Sequence, residues 1–149
     1  MKGTRILAVA SPGGHWEQLL LLAQCWSERD VVFARAKSEG RTPPGVEVLE
    51  LPDAARGDGL RLIGLLRAAF AVVWRVRPDV VVTTGAAPGL AVLIAGKLLG
   101  ARTIWVDSLA NIERVSLAGR LARPFSDHWL TQWPHLEGAR GPQFEGAVL

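Results

Sequence analysis

The chain has a single cysteine, Cys25, and no tyrosine. One thiol excludes an internal disulfide framework and points to a reducing compartment. Cys25 falls in an apolar run that reads as helix, where a packed thiol is expected. Long apolar runs are also missing. Leu62 to Val76 is interrupted by Arg67 and Arg75, and Gly89 to Leu99 is short and holds Lys97. A spanning helix needs about 20 mostly apolar residues, so neither run qualifies. Met1-Lys2-Gly3 leads straight into a strand candidate, which leaves no room for the apolar core of a signal peptide.

There is no lysine/arginine block. The net charge is +3, the pI is about 9.7, and the basic residues are mostly arginines scattered among acids. This pattern fits weak attraction to anionic lipid or phosphate, or simply an arginine-rich surface, better than it fits nucleic-acid binding. No nucleic acid is expected as a partner. Familiar cofactor and catalytic motifs are absent as well. The spacing G-x-G-x-x-G is not present, and the second strand candidate ends Ala34-Arg35-Ala36 without the acid a dinucleotide site needs. A phosphate-binding G-x-x-x-x-G-K-[ST] loop, a G-x-S-x-G elbow and metal-ligand spacings of His, Cys and Asp are all lacking. Neither a cofactor nor a metal is expected.

What the chain does have is alternation. Strand candidates are Arg5–Ala10, Val31–Ala36, Val46–Leu51, Val80–Thr84, Thr103–Asp107 and His128–Gln132. Helix candidates are His15–Trp26, Gly59–Val76, Gly89–Leu99 and Ser116–Phe125. Loops are expected over 37–45 and 54–59. Val80-Val81-Val82 and Ile104-Trp105-Val106 are continuous apolar runs, as in parallel strands covered on both faces. With 49% hydrophobic residues in a chain of 149, this predicts one α/β domain with a doubly wound, mostly parallel sheet.

In such a sheet, ligands bind at the carboxyl ends of the strands. Three segments converge there. Ala10-Ser11-Pro12-Gly13-Gly14-His15 is a glycine turn from strand to helix, and its backbone N–H groups and helix N-terminus suit an anion. Thr83-Thr84-Gly85-Ala86-Ala87-Pro88-Gly89 is a second glycine loop. Asp107-Ser108-Leu109-Ala110-Asn111-Ile112-Glu113 is a polar cluster after a buried strand. His15 reads as a general base or as a histidine that merely caps its loop. Asp107 and Glu113 are rival carboxylate bases or capping and surface groups. His128 and His135 read as structural.

These residues, with Ser116-Leu117-Ala118-Gly119-Arg120 and Gln132-Trp133-Pro134, resemble the Alg-fourteen-like family, whose bacterial members include PssD-type polysaccharide glycosyltransferase subunits. That family is similar to the N-terminal half of a GT-B glycosyltransferase such as MurG. In a GT-B enzyme this half holds the acceptor, and the other half holds the nucleotide-sugar. The resemblance implies an acceptor-binding subunit completed by a separate donor-binding chain. It implies a UDP-sugar donor and a polyprenyl-diphosphate-linked saccharide acceptor at the cytoplasmic face of the membrane. It matches Gly13, Gly14 and His15 to the loop facing the acceptor diphosphate, Gly85 and Gly89 to the second loop, and Asp107, Ser108, Asn111 and Glu113 to the polar segment of the cleft. His15 would be the catalytic base. One departure is Pro12, where the family commonly has a small residue. Proline lacks an N–H, so phosphate is left to the amides of Gly13, Gly14 and His15.

Eukaryotic members carry an N-terminal membrane anchor, so contact with lipid is expected from elsewhere. The segment from Gly59 to Arg77 mixes Leu60, Ile63, Phe70 and Trp74 with arginines, as an interfacial helix or a sheet-packed helix with arginines at its edges would. Two other classes fit the chain: a non-catalytic membrane recruiter of a self-sufficient transferase, and a free-standing nucleotide or sugar-phosphate binder.

Overall fold

A computed structural model describes residues 3–38, 42–52 and 58–148. Seven strands form one parallel sheet: β1 (Arg5–Ala10), β2 (Asp30–Ala36), β3 (Val48–Leu51), β4 (Val80–Gly85), β5 (Arg102–Val106), β6 (His128–Thr131) and β7 (Gln143–Phe144). Their order is β3-β2-β1-β4-β5-β6-β7. The helices are α1 (Gly14–Ala23), α2 (Gly59–Val76), α3 (Ala86–Leu98) and α4 (Leu117–Ala122). The expected doubly wound α/β sheet is therefore present. Loop residues 37, 38 and 42–45 are described, and 39–41 lie outside the described residues. Of the loop expected over 54–59, residues 54–57 lie outside them too, while Asp58 caps α2 and Gly59 opens it.

Alternation along β1 sorts the core. Leu7 and Val9 face α2 and α3 with Leu65, Ala69, Val73, Val81, Leu93 and Trp105. Ala8 and Ala10 face α1 with Trp16, Leu19 and Phe33. Helix α3 lies close on β4 because Gly89 and Gly96 are bare. A Cβ at Gly89 would meet Thr83 Oγ1 at 2.0 Å, and one at Gly96 would meet Val81 at 2.6 Å.

Element ends differ from the sequence reading in ways that have physical causes. Helix α3 starts at Ala86 rather than Gly89, because Pro88 sits in the first turn, where no N–H is needed. The helix expected over His15–Trp26 closes at Ala23 and continues as a 3-10 turn, Gln24–Trp26. That turn leaves Cys25 exposed, not packed as expected. Ser116 is a cap whose hydroxyl accepts from the Gly119 N–H, and Pro124 converts the end of α4 to a 3-10 turn. β7 has only two residues, too few for a sequence pattern.

At the amino edge of the sheet, Lys97 Nζ lies 2.5 Å from Asp127 Oδ1. Asp127 Oδ2 accepts from the Thr103 N–H at 2.9 Å. The bonded Lys97 ammonium holds the Asp127 carboxyl below the ordinary carboxylate range. A carboxyl whose folded value is depressed stabilises the fold above its unfolded value, near ~3.9, and loses that contribution as pH falls through the folded value. Asp127→Asn should therefore lower the urea midpoint at neutral pH, and the gap from wild type should close below about pH 4. A gap that persists unchanged in acid would assign the loss to packing instead.

Candidate functional site at the carboxyl edge

The strand order reverses between β1 and β4. From β1 the chain moves outward to β2 and β3; from β4 it moves the other way to β5, β6 and β7. The loops after β1 and β4 therefore lie side by side at the carboxyl edge, the place where ligands bind in such sheets.

The β1–α1 turn is made by Gly13, whose φ of 87° suits glycine. The Glu17 N–H closes the first helical bond onto Gly13 O at 3.1 Å. The amides of Gly14 and His15 precede that bond and point out of the helix start. Gly13 and Gly14 are exposed, and a Cβ on Gly14 would meet nothing within 4 Å. In the loop after β4, the Gly85 N–H is used by Thr83 Oγ1 at 3.1 Å. Pro88 has no N–H. The first turn of α3 therefore offers the amides of Ala86 and Ala87. Two helix N-termini thus meet at one spot, with positive ends together.

His15 is the half-buried side chain at this spot. Its Nδ1 lies 2.9 Å from the Thr84 main-chain oxygen, and the Thr84 hydroxyl donates to the His15 main-chain oxygen at 2.6 Å. Gly85 is the seat of the imidazole, since a Cβ there would stand 2.9 Å from Nδ1 and Cε1. At the end of β2, the Arg35 guanidinium lies 4.7 Å from the Trp16 ring centroid and donates to Thr42 Oγ1 at 3.1 Å.

The polar segment after β5 divides in two. Asp107 is 2% exposed. Its Oδ1 accepts from Trp105 Nε1 and the Ser116 hydroxyl, and its Oδ2 accepts from Asn111 Nδ2 and the Ser116 N–H. A carboxylate has about four acceptor directions, and all are taken inside the loop. Asp107 therefore turns inward rather than into the cleft as expected. Ser108, also buried, accepts from Gln18 Nε2 at 3.0 Å and from the Ala110 N–H. Gly89 likewise faces inward, against Thr83. Asn111 and Glu113 stay toward solvent, and with Ala110, Ile112 and Arg114 they line a hollow of about 360 Å³. Among the described residues, no three His, Cys, Asp or Glu side chains converge as metal ligands.

Residues that the sequence reading did not single out hold these loops in place. Gln18 Oε1 accepts from the Leu109 N–H and from Gln132 Nε2, which also donates to Asp107 O at 2.9 Å. Gln18 stands three residues after His15, on the same side of α1, and that spacing was the available signal. His135 Nε2 bonds to Ile112 O, and Trp133 Nε1 donates to Leu109 O. His135 is thus a brace, as expected.

The chain spans 57% of the UDP-N-acetylglucosamine transferase subunit ALG14 of Eremothecium gossypii, with 36% identity over 73% of this chain. The mouse protein of the same name is 25% identical, over 89% of this chain and 77% of its own length. Among solved structures, MurG of Acinetobacter baumannii superposes with a TM-score of 0.76 at 12% identity, over 98% of this chain and 46% of that one. The UDP-GlcNAc 2-epimerase of Methanocaldococcus jannaschii gives 0.66 at 13%, over 86% and 39%. These two likenesses establish the fold, that of the N-terminal GT-B half of MurG. Residues 60–147 match the family described as oligosaccharide biosynthesis protein Alg14 like, and the chain belongs to that family.

Proposed function

We propose that this chain is the acceptor-binding subunit of a two-chain glycosyltransferase. It would present a polyprenyl-diphosphate-linked saccharide to a UDP-sugar held by a separate donor-binding subunit. The observation that carries this reading is the half-buried His15 imidazole set between the N-termini of α1 and α3. Donors for an anion and a proton acceptor are thereby offered to one ligand. The names of the relatives, subunits of a UDP-N-acetylglucosamine transferase, make UDP-N-acetylglucosamine the first donor to test. Their being named as subunits also supports a partner chain.

In the proposed reaction, an acceptor hydroxyl attacks the anomeric carbon of the donor sugar. The bond from that carbon to the UDP oxygen breaks, UDP leaves with its electron pair, and the hydroxyl proton passes to His15. The amides of Gly14, His15, Ala86 and Ala87 would hold the acceptor diphosphate. Asp107, Ser108 and Gly89 would act by fixing the loops rather than by touching the ligand, whereas Asn111 and Glu113 border the hollow where the saccharide would lie.

A second feature supports contact with a membrane surface. Helix α2 buries Leu65, Ala69, Val73 and Val76 against the sheet, yet its outer face shows Leu60, Ile63 and Trp74 at 82%, 56% and 65% exposure. Arg61, Arg67 and Arg75 are exposed beside them. Apolar, aromatic and basic side chains together suit an anionic lipid interface. The start of α2 follows β3, so Leu60 and Ile63 lie at the same sheet edge as His15, whereas Trp74 lies in the last turn, at the opposite edge. Among the described residues, no helix is long and apolar enough to cross a membrane. Peripheral association at the cytoplasmic face is the corresponding proposal.

With both subunits, UDP-N-acetylglucosamine and lipid-linked acceptor, His15→Ala should cut turnover by ~10²–10⁴-fold without changing the melting temperature. Near-normal turnover would move the base to Glu113, because Asp107 has no acceptor direction left. The same assay without the partner should give no transfer, and robust transfer by this chain alone would end the two-chain reading.

Wild type should float with anionic vesicles and release as salt rises, since exposed charges are screened over about 10 Å at 0.1 M. Leu60→Ser with Ile63→Ser should abolish flotation and keep the fold, because both side chains already face solvent. Equal flotation of wild type and variant would remove α2 as the contact.

A further inference from the structure

The carboxyl edge holds a device for fixing one histidine nitrogen. Along β4 the parallel ladder with β1 pairs Val9 with Thr83 and then Ala10 with Gly85, so Thr84 is skipped. A bulge of this kind withdraws a residue from the ladder and re-aims it. Here the freed Thr84 carbonyl is the group that meets His15 Nδ1. The Thr84 hydroxyl donates to the His15 main chain, so both polar groups of one residue grip both parts of the other. Two unusual conformations follow directly. Gly85 has φ 131° and gives its Cβ space to the imidazole, and Ala86 has φ 63°, a left-handed value rare for a residue with a side chain. Such backbone strain persists where the surroundings impose it.

A carbonyl oxygen only accepts. The hydrogen between it and the ring must therefore be carried by Nδ1. We infer that Thr84 is a positioning residue that fixes His15 as the Nδ1-protonated tautomer and leaves Nε2, with its lone pair, as the nitrogen presented to a ligand. In this form neutral His15 cannot donate from Nε2 to a phosphate; it can only take a proton there. What Nε2 does in sugar transfer rests on the acceptor reading above, whereas the tautomer does not. The charged groups on elements packed round this turn are Glu17 on α1, Arg35 at the end of β2, and Asp107 with Glu113 and Arg114 after β5. β4 and the first turn of α3 carry none.

The test is nitrogen-15 NMR of the imidazoles in the full chain, which has three histidines, with His15→Gln assigning the signal. Once the ring is neutral, wild-type His15 should carry its hydrogen on Nδ1. Thr84→Val, which lacks the hydroxyl, should shift the signal toward a mixture of tautomers, and Thr84→Ser should restore it. In the two-subunit transferase, Thr84→Val should lower kcat by roughly 10-fold with KM little changed, and Thr84→Ser should recover it. A wild-type hydrogen on Nε2 overturns the tautomer assignment, and a Thr84→Val spectrum identical to wild type, with the carbonyl retained, overturns the positioning role of the Thr84 hydroxyl, whatever the transfer assay gives. The expected tautomer combined with unimpaired transfer by His15→Ala overturns the base role instead and leaves the clasp between Thr84 and His15 standing.

Discussion

The pairing of β1 with β4 is the constraint on which the carboxyl edge depends. It places the two strand-to-helix turns side by side, and a single skipped residue in its ladder turns the Thr84 carbonyl toward His15. The strained turn that follows is held by the packing of α3. A left-handed Ala86 costs on the order of 1–3 kcal/mol. Burying Val92 and Leu93, both fully enclosed, contributes roughly 1.5–3 kcal/mol each. The packing outweighs the strain, and it does so because Gly89 and Gly96 let the helix lie flat on β4. Gly89 thus serves the site from behind, through Thr83, the neighbour of Thr84.

The segment after β5 obeys a different rule. Removing a carboxylate from water costs several kcal/mol unless its acceptor directions are filled. Asp107 fills them with four donors, two of them from Ser116, at the start of α4. Gly119 is part of the same arrangement, because a Cβ there would come within 2.7 Å of Asp107 Oδ1. The loop between is therefore tied at both ends, and Gln18 and Gln132 tie it in turn to α1 and to the end of β6. Asn111 and Glu113 are carried on a platform fixed from below.

Periodicity made the sheet legible. The continuous apolar runs in β4 and β5 marked parallel strands, and Gly13-Gly14-His15 marked the turn at the first strand. What stayed hidden depended on direction rather than on identity. Gly85 and Gly89 look alike in the sequence, but one makes room for an imidazole at the carboxyl edge and the other for a hydroxyl in the core. Asp107 looked available because its donors, Trp105, Asn111 and Ser116, count as partners only once the loop folds back. Cys25 looked buried because the helix was read through the three residues of a 3-10 turn, in which it is exposed. Thr84 carried no signal at all, since a bulge is a property of two strands.

The placement of α2 bears on what kind of acceptor this edge suits. A polyprenyl-diphosphate saccharide is apolar at one end, doubly anionic in the middle and polar at the other. A protein that meets it at a membrane needs apolar contact, amide donors and a polar hollow along one edge. Leu60 and Ile63 at the start of α2, the amides at the starts of α1 and α3, and the hollow around Asn111 and Glu113 all follow the carboxyl ends of strands in the same parallel sheet. Parallel strands put their carboxyl ends on one side by construction, so one topological property brings the three chemistries together. An antiparallel sheet of the same residues would have split them between opposite edges. The two prolines sharpen the middle zone. Pro12 and Pro88 each remove one amide from a turn at this edge, so the donors left are those of Gly13, Gly14 and His15 in one turn and of Ala86 and Ala87 in the other. Under the proposed reading, the diphosphate is held where His15 Nε2 can reach the sugar attached to it.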